Sequence, residues 1–258
     1  MGVSRQTRQR RAGSLGSMSN AVNQTTAGKV DGRGDAPAPW LFALRCLVCG
    51  ESGANGRDLC AACSSALPFQ GASCLRCALP LPRSDTCGSC LQRPPPLAEA
   101  HAVFDYAFPL DRLLPRLKFH GDLAAGRVLA QAMAARCALL PRPDAIVPVP
   151  LHRARLRRRG YDQARELAAP LAHALHLPLL DQALQRRRTT SAQSLLDAAS
   201  RQRNLRGAFE VSGAQPLPAH VVLVDDVMTT GATLHAAAHT LLAAGVQRVD
   251  AWVCARVA

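Results

Sequence analysis

From Ala102 onward the chain alternates between two hydrophobic periods. Ala102–Ala107 reads as a short strand. Leu110–His120 carries Leu113, Leu114 and Leu117 on one helical face, and Asp122–Leu139 repeats at helical spacing, with Gly121 between the two. Asp144–Pro150, DAIVPVP, is an apolar run that stops at its prolines and reads as a buried strand. Gly160–His176 has helical periodicity, Pro178–Leu180 offers a short strand, and the polar run Gln185–Ser194 reads as a long loop. Val221–Val224 is four consecutive aliphatics, Thr233–Ala244 a helix closed by Gly245, and Arg248–Ala255 a last strand. Strands alternating with helices predict an α/β fold, a parallel sheet flanked by helices. In such sheets ligands sit beyond the carboxyl ends of the strands.

N-terminal to this region the periodicity disappears and cysteine takes over. Eight of the ten cysteines form four CxxC pairs, Cys46/Cys49, Cys60/Cys63, Cys74/Cys77 and Cys87/Cys90. One CxxC turn brings two thiolates to an ion, and two such turns complete a closed tetrahedral zinc site of the structural kind. Iron takes four-thiolate sites too, but nothing in the chain points to electron transfer. A disulfide framework would need an oxidising compartment. Eight ligands hold one or two zinc ions, and four pairs combine in three ways that the sequence does not choose between. The segment has few large apolar residues, so metal must supply much of its folding energy, about 10–16 kcal/mol per structural zinc. Cys137 in an alanine-rich helix and Cys254 in an apolar strand read as buried small hydrophobes.

These patterns divide the chain into a basic arm over residues 1–40, a four-cysteine-type zinc module over 41–93 and an α/β domain over 94–258. The arm is rich in Arg, Ser, Gly, Gln and Asn, a composition that predicts disorder, and Met18 is a second potential start. No run of about 18 apolar residues and no secretory pattern is present, so the expectation is a cytoplasmic protein without membrane insertion. The net charge is +13 over 258 residues. Such a charge suits an acidic partner. Only Lys29 and Lys118 are lysines, so 29 of the 31 basic residues (31 − 2) are arginine, which also fits compositional bias.

The densest chemistry lies in VVLVDDVMTTGATL, Val221–Leu234. Two carboxylates, Asp225 and Asp226, end the aliphatic strand, and Thr229, Thr230, Gly231, Ala232 and Thr233 form the turn into the next helix. Unsatisfied backbone N–H groups at a helix start, a glycine that permits close approach and threonine hydroxyls make a phosphate cradle. An adjacent carboxylate pair can hold a diol, or the water shell of a magnesium ion. The combination fits a sugar phosphate. The competing structural reading is an ordinary strand-to-helix turn, with Thr233 or Asp226 acting as a cap. The histidines form no metal-spaced cluster, and His235 and His239, one helical turn apart, read as a half-exposed face.

This stretch resembles the 5-phosphoribosyl-1-pyrophosphate (PRPP) motif of type I phosphoribosyltransferases. With the cysteine pairs, the chain from about Leu44 onward resembles the ComF family of competence-related, phosphoribosyltransferase-like proteins. LKFHG (Leu117–Gly121), VPVPLHRARLRRRGYDQARELA (Val147–Ala168), TTSAQSLL (Thr189–Leu196) and RQRNLRGAF (Arg201–Phe209) follow in the family's order. Where the family has Arg-Gly-Phe-Asn-Gln, this chain has Arg159-Gly160-Tyr161-Asp162-Gln163, adding a negative charge near the expected pyrophosphate.

The resemblance implies a type I phosphoribosyltransferase-like fold behind a double zinc ribbon. It implies that Asp225 and Asp226 meet the ribose hydroxyls, that Thr229–Thr233 receive the 5-phosphate, and that magnesium accompanies PRPP. Lys118, Arg159 and Arg188 are candidate phosphate contacts, arginine forks being suited to phosphate oxygens. Arg187, Arg188 and Thr189–Gln193 would belong to a loop that closes over the site. No catalytic residue stands out, and no acceptor pocket announces itself. The implied setting is DNA uptake, natural transformation or the use of imported DNA, with single-stranded DNA and DNA-uptake proteins as candidate partners. The alternative is an active transferase moving ribose 5-phosphate from PRPP to an acceptor in nucleotide salvage.

Overall fold

The computed structural model describes residues 44–187, 207–212 and 216–258. The arm over residues 1–40 and Arg188 lie outside them, as do Thr189–Leu196 and most of Arg201–Phe209. The described residues, from Leu44 to the C-terminus, belong to one compact unit.

Apolar runs that the sequence separates by helices come together as one parallel sheet. Its strands are β1 (Ala100–Asp105), β2 (Ala145–Pro148), β5 (His220–Met228) and β6 (Arg248–Arg256), in the order β1-β6-β5-β2. β5 and β6 are buried along almost their whole length, as expected of strands covered on both faces. α3 (Leu110–Phe119), α4 (Leu123–Cys137) and α6 (Gln163–Leu175) pack on one face, where Leu113, Leu117, Met133 and Leu167 meet Val222, Val224 and Trp252. α7 (Ala232–Ala243) and a two-stranded antiparallel ribbon, β3 (Leu184–Arg186) with β4 (Phe209–Val211), cover the other face. Cys137 and Cys254 are buried, as their apolar surroundings predict.

Three boundaries depart from the sequence reading. The helix expected over Gly160–His176 is α6, which starts three residues later, at Gln163, and a further helix, α5 (Arg153–Arg159), precedes it where none was expected. Gly160 closes α5 in the left-handed region at φ 84°, and Asp162 opens α6 by accepting from the Ala164 and Arg165 N–H groups. The arginine-rich α5 has no buried residue, so it carries no apolar period to read. β3 begins at Leu184 and runs into the stretch read as loop. Finally, β5 continues past Val224 to Met228, so Asp225 and Asp226 lie within the strand and not after it.

The cysteine-rich segment, with the short helices α1 (Ala61–Ser65) and α2 (Gly88–Gln92), packs directly on this sheet. Cys46, Leu59, Cys63 and Leu67 share a core with α3 and α4. The Gln70 N–H donates to the Val103 carbonyl and the Asp105 N–H to the Pro68 carbonyl, so this segment covers the free edge of β1. Among the described residues no helix is long and apolar enough to cross a membrane.

Candidate functional site

The four CxxC pairs resolve into two clusters. Cys46, Cys49, Cys60 and Cys63 converge, as do Cys74, Cys77, Cys87 and Cys90, with all four sulfurs of each set within 4.8 Å of one another. Of the three pairings open to the sequence, neighbours in the chain are the ones that join. The Cys49–Cys60 and Cys77–Cys87 sulfurs are 3.6 and 3.8 Å apart. Four sulfurs at about 2.3 Å from one ion stand about 3.8 Å from each other, whereas a disulfide would need about 2 Å. The spacing therefore fits a tetrahedral four-thiolate centre with no open position. Burial opposes ionisation of Cys46, yet the Cys60, Cys49 and Val48 N–H groups aimed at its sulfur hold that thiol down at about 6. Cys74 is held down in the same way in the second cluster, whereas Cys49, Cys63, Cys77 and Cys90 are raised, so a complete set of thiolates needs the charge of an ion.

Towards the carboxyl end of β5 the strand's alternation sends Asp225 and Asp226 to opposite faces. Asp226 is 8% exposed and pairs with Lys118 Nζ at 2.9 Å. Asp225 accepts from the Asp226 N–H at 2.8 Å. Burial first, and repulsion from Asp226 second, push the Asp225 carboxyl up to about 8. One carboxylate thus has its cation, and the other is held back from ionising in a way that a ligand's hydroxyls or a metal ion can relieve.

The turn that follows places Thr229 and Thr230 in the open and buries Gly231 at φ 74°. A Cβ on Gly231 would stand 2.6 Å from Met228 Cε and 3.0 Å from His235 Nε2, so both side chains would have to shift, and the positive φ strains any other residue there. Gly231 is the N-cap of α7 and no side chain caps that helix; the Ala232 N–H reaches only Thr230 Oγ1 at 3.4 Å. The capping alternative therefore fails, since Asp226 is engaged with Lys118 and Thr233 lies inside the helix. His235 turns inward beneath the turn. Burial, then His239, lowers its imidazole to about 4, and its Nε2 has no partner among the described residues.

Two independent matches bear on this arrangement. A double zinc ribbon domain matches residues 38–91 and a phosphoribosyl transferase domain matches residues 157–257. The DNA utilization protein YhgH of Salmonella typhi is 41% identical over 208 residues, covering 77% of this chain and 90% of its own. YhgH of Escherichia coli (strain K12) is 38% identical over 222 residues, covering 82% and 96%. Competence protein F of Haemophilus influenzae is 34% identical over 229 residues, covering 84% and 98%. The chain belongs to the ComF/YhgH family. Its eight paired cysteines are the two structural zinc sites of the family's double ribbon.

Other segments in the family's order meet in space. Tyr161, where the ComF family has Phe, donates its hydroxyl to the Leu117 carbonyl and accepts from the Gly121 N–H at 3.2 Å. The hydroxyl thereby sits inside what would be the last hydrogen bond of α3, in the turn that carries Lys118. Arg159 stacks over Phe119, 5.6 Å from the ring centre, so it braces α3 in this state rather than pointing at a free anion site. Asp162, whose charge departs from the family's Asn, is absorbed locally. Its Oδ2 accepts from the Leu151 N–H at 2.7 Å while Oδ1 caps α6, although burial still raises its carboxyl above the usual range.

A cavity of about 410 Å³ opens beside this junction, lined by Leu151, Arg153, Asp162, Glu166, Gln185 and Arg186 among others. Its walls do not include Asp225, Asp226 or the Thr229–Thr233 turn. Two further arginines went unread in the sequence, Arg116 and Arg256. Each was one basic residue among many, and only the tertiary contacts below set them apart.

Proposed function

We propose that this protein binds PRPP in the cytoplasm and serves the use of imported DNA. The reading rests chiefly on the β5–α7 turn. There an uncapped helix start and a glycine at positive φ adjoin a half-buried carboxyl whose charge the fold disfavours. The 5-phosphate meets the N–H groups and hydroxyls of Thr229–Thr233, where the helix dipole favours an anion. The ribose hydroxyls donate to Asp225, and Asp226 stays with Lys118. A magnesium ion brought with PRPP would rest through its water shell on these carboxylates and neutralise pyrophosphate charge. The relatives' names, DNA utilization protein and competence protein, supply the biological setting.

The test is calorimetric titration of PRPP into zinc-loaded protein, with and without magnesium, with ribose 5-phosphate as control. Magnesium-dependent binding that weakens about ten- to a hundredfold in the Asp225→Asn/Asp226→Asn variant is expected, the equivalent of one charge-assisted hydrogen bond. Equal affinity in that folded variant would remove the site.

A further inference from the structure

Each zinc centre is tied, through one of its two CxxC knuckles, to one wall of the PRPP site by a single arginine. In the first, Arg116 NH1 donates to the Leu47 carbonyl, between Cys46 and Cys49, at 2.8 Å, while its Nε pairs with Asp122 Oδ2 at 2.7 Å. Arg116 lies two residues before Lys118, and its own carbonyl accepts from the His120 and Asp122 N–H groups that close α3. In the second, Arg256 Nε donates to the carbonyl of Cys77, itself a ligand, at 3.0 Å. NH1 of the same guanidinium reaches the Met228 carbonyl at 3.3 Å, and the Val257 N–H reaches that carbonyl too, at 3.0 Å. Met228 ends β5 and leads straight into Thr229.

We infer that Arg116 and Arg256 are positioning residues through which the two zinc centres hold the two walls of the site, the Lys118–Asp226 pair and the Thr229–Thr233 turn. The inference rests on the PRPP reading for what the walls bind, but not for the coupling itself. A knuckle carbonyl is rigid only while its CxxC turn is clamped by metal, and a guanidinium with several donors in one plane transmits that position to a second acceptor. The outward faces of the ribbon then need no contact with ligand for the ribbon to matter to it. Zinc and ligand must also affect each other equally, because coupling free energies are reciprocal.

The variants are Arg256→Lys, which keeps the charge but loses the planar fork that spans the two carbonyls, and Arg116→Gln. Zinc content is measured first and stays at the wild-type value. In Arg256→Lys, amide exchange at Val257 and His235, whose N–H groups donate to the Met228 and Gly231 carbonyls on either side of the turn, should then accelerate about three- to tenfold, the loss of one ordinary hydrogen bond. In Arg116→Gln, acylation of Lys118 should accelerate by a similar factor relative to the other lysine, Lys29, as the Asp226 pair loosens. With PRPP present, zinc release to a chromogenic chelator slows in the wild type and loses that slowing in both variants. Unchanged exchange and unchanged Lys118 labelling in folded, zinc-loaded variants would overturn the coupling. If those two changes occur but PRPP neither binds nor slows zinc release in the wild type, the coupling stands and the ligand assignment fails.

Discussion

Replacing Asp225 by Asn should make the ligand-free protein more stable and a poorer binder. The Asp225 carboxyl is held at about 8 in the fold, against 3.8 for an ordinary aspartate. Between those values the folded state keeps a proton that the unfolded chain has released. Stability drawn from this group is therefore full below about pH 4 and is lost as pH rises toward 8. Each pH unit in that window costs the wild type up to about 1.4 kcal/mol relative to a variant with nothing to ionise. Between pH 5 and 7 the stability difference between Asp225→Asn and wild type should thus grow by about 2–3 kcal/mol. Urea denaturation of both proteins in zinc-containing buffer at pH 5, 6 and 7 measures it, because zinc release and every other titration cancel in the difference. PRPP affinity at pH 7 should fall about ten- to a hundredfold in the same variant. A difference that is flat with pH, or a variant less stable at pH 7, would refute the picture of Asp225 as an uncompensated carboxyl.

Three further outcomes follow from named contacts. Gly231→Ala drives a Cβ against Met228 and His235 at positive φ, which should lower stability by about 1–3 kcal/mol and weaken PRPP binding more than about tenfold; binding at wild-type affinity would contradict close approach of the turn to phosphate. Stripping zinc with a strong chelator should lower the thermal midpoint of the whole unit by about 10 °C or more, because the ribbon supplies Leu59 and Leu67 to the shared core and Asp58 to Arg127 at 2.7 Å. An α/β domain that melts unchanged after chelation would show the ribbon to be an appendage. Asp250, 5% exposed in its side chain, accepts from the Glu99 N–H at 3.0 Å, from His220 at 2.7 Å and from Arg248 at 3.0 Å. Asp250→Asn should therefore cost about 3–5 kcal/mol in denaturation, yet spare PRPP affinity, since this network sits at the opposite ends of β5 and β6.

What the sequence made legible is what local rules govern. Val221–Val224 and Arg248–Ala255 announced buried strands, because parallel strands covered on both faces read as continuous apolar runs. The two four-sulfur clusters were legible as ligands but not as pairs, since pairing depends on how the ribbon folds back on itself. α5 went unread for a physical reason: it is an exposed arginine helix with no apolar face. The start of α6 was placed three residues early, at Gly160, because the N-cap at Asp162 is a local contact that periodicity does not show. The opposite orientations of Asp225 and Asp226 were hidden too. They follow only once β5 is known to continue to Met228, which the polar residues themselves obscured.

That continuation separates two residues that the motif presents as equals. Asp226 faces the α3 side of the sheet and has its cation, so its work is architectural: it fixes Lys118, and with it the end of the helix that Tyr161 and Arg116 also grip. Asp225 faces the other way, is half-buried, and has Asp226 beside it to discourage its charge. Lys118 favours its charge and Asp225 in turn favours that of Arg186, yet burial and Asp226 prevail, and Asn would fill the same space without the penalty. On the PRPP reading, a carboxyl in that position serves a ligand that arrives and donates to it. The adjacent turn starts a helix with no side-chain bond from its N-cap, and among the described residues only the Ala232 N–H has a side-chain acceptor, Thr230 Oγ1 at 3.4 Å, which leaves the turn able to donate. Acceptor and donors lie one strand end apart. A single ligand with hydroxyls on one side and a phosphate on the other answers both, whereas a free phosphate answers one and a lone metal ion the other. Ribose 5-phosphate and inorganic phosphate should accordingly bind more weakly than PRPP with magnesium, and lose less affinity than PRPP does when Asp225 becomes Asn.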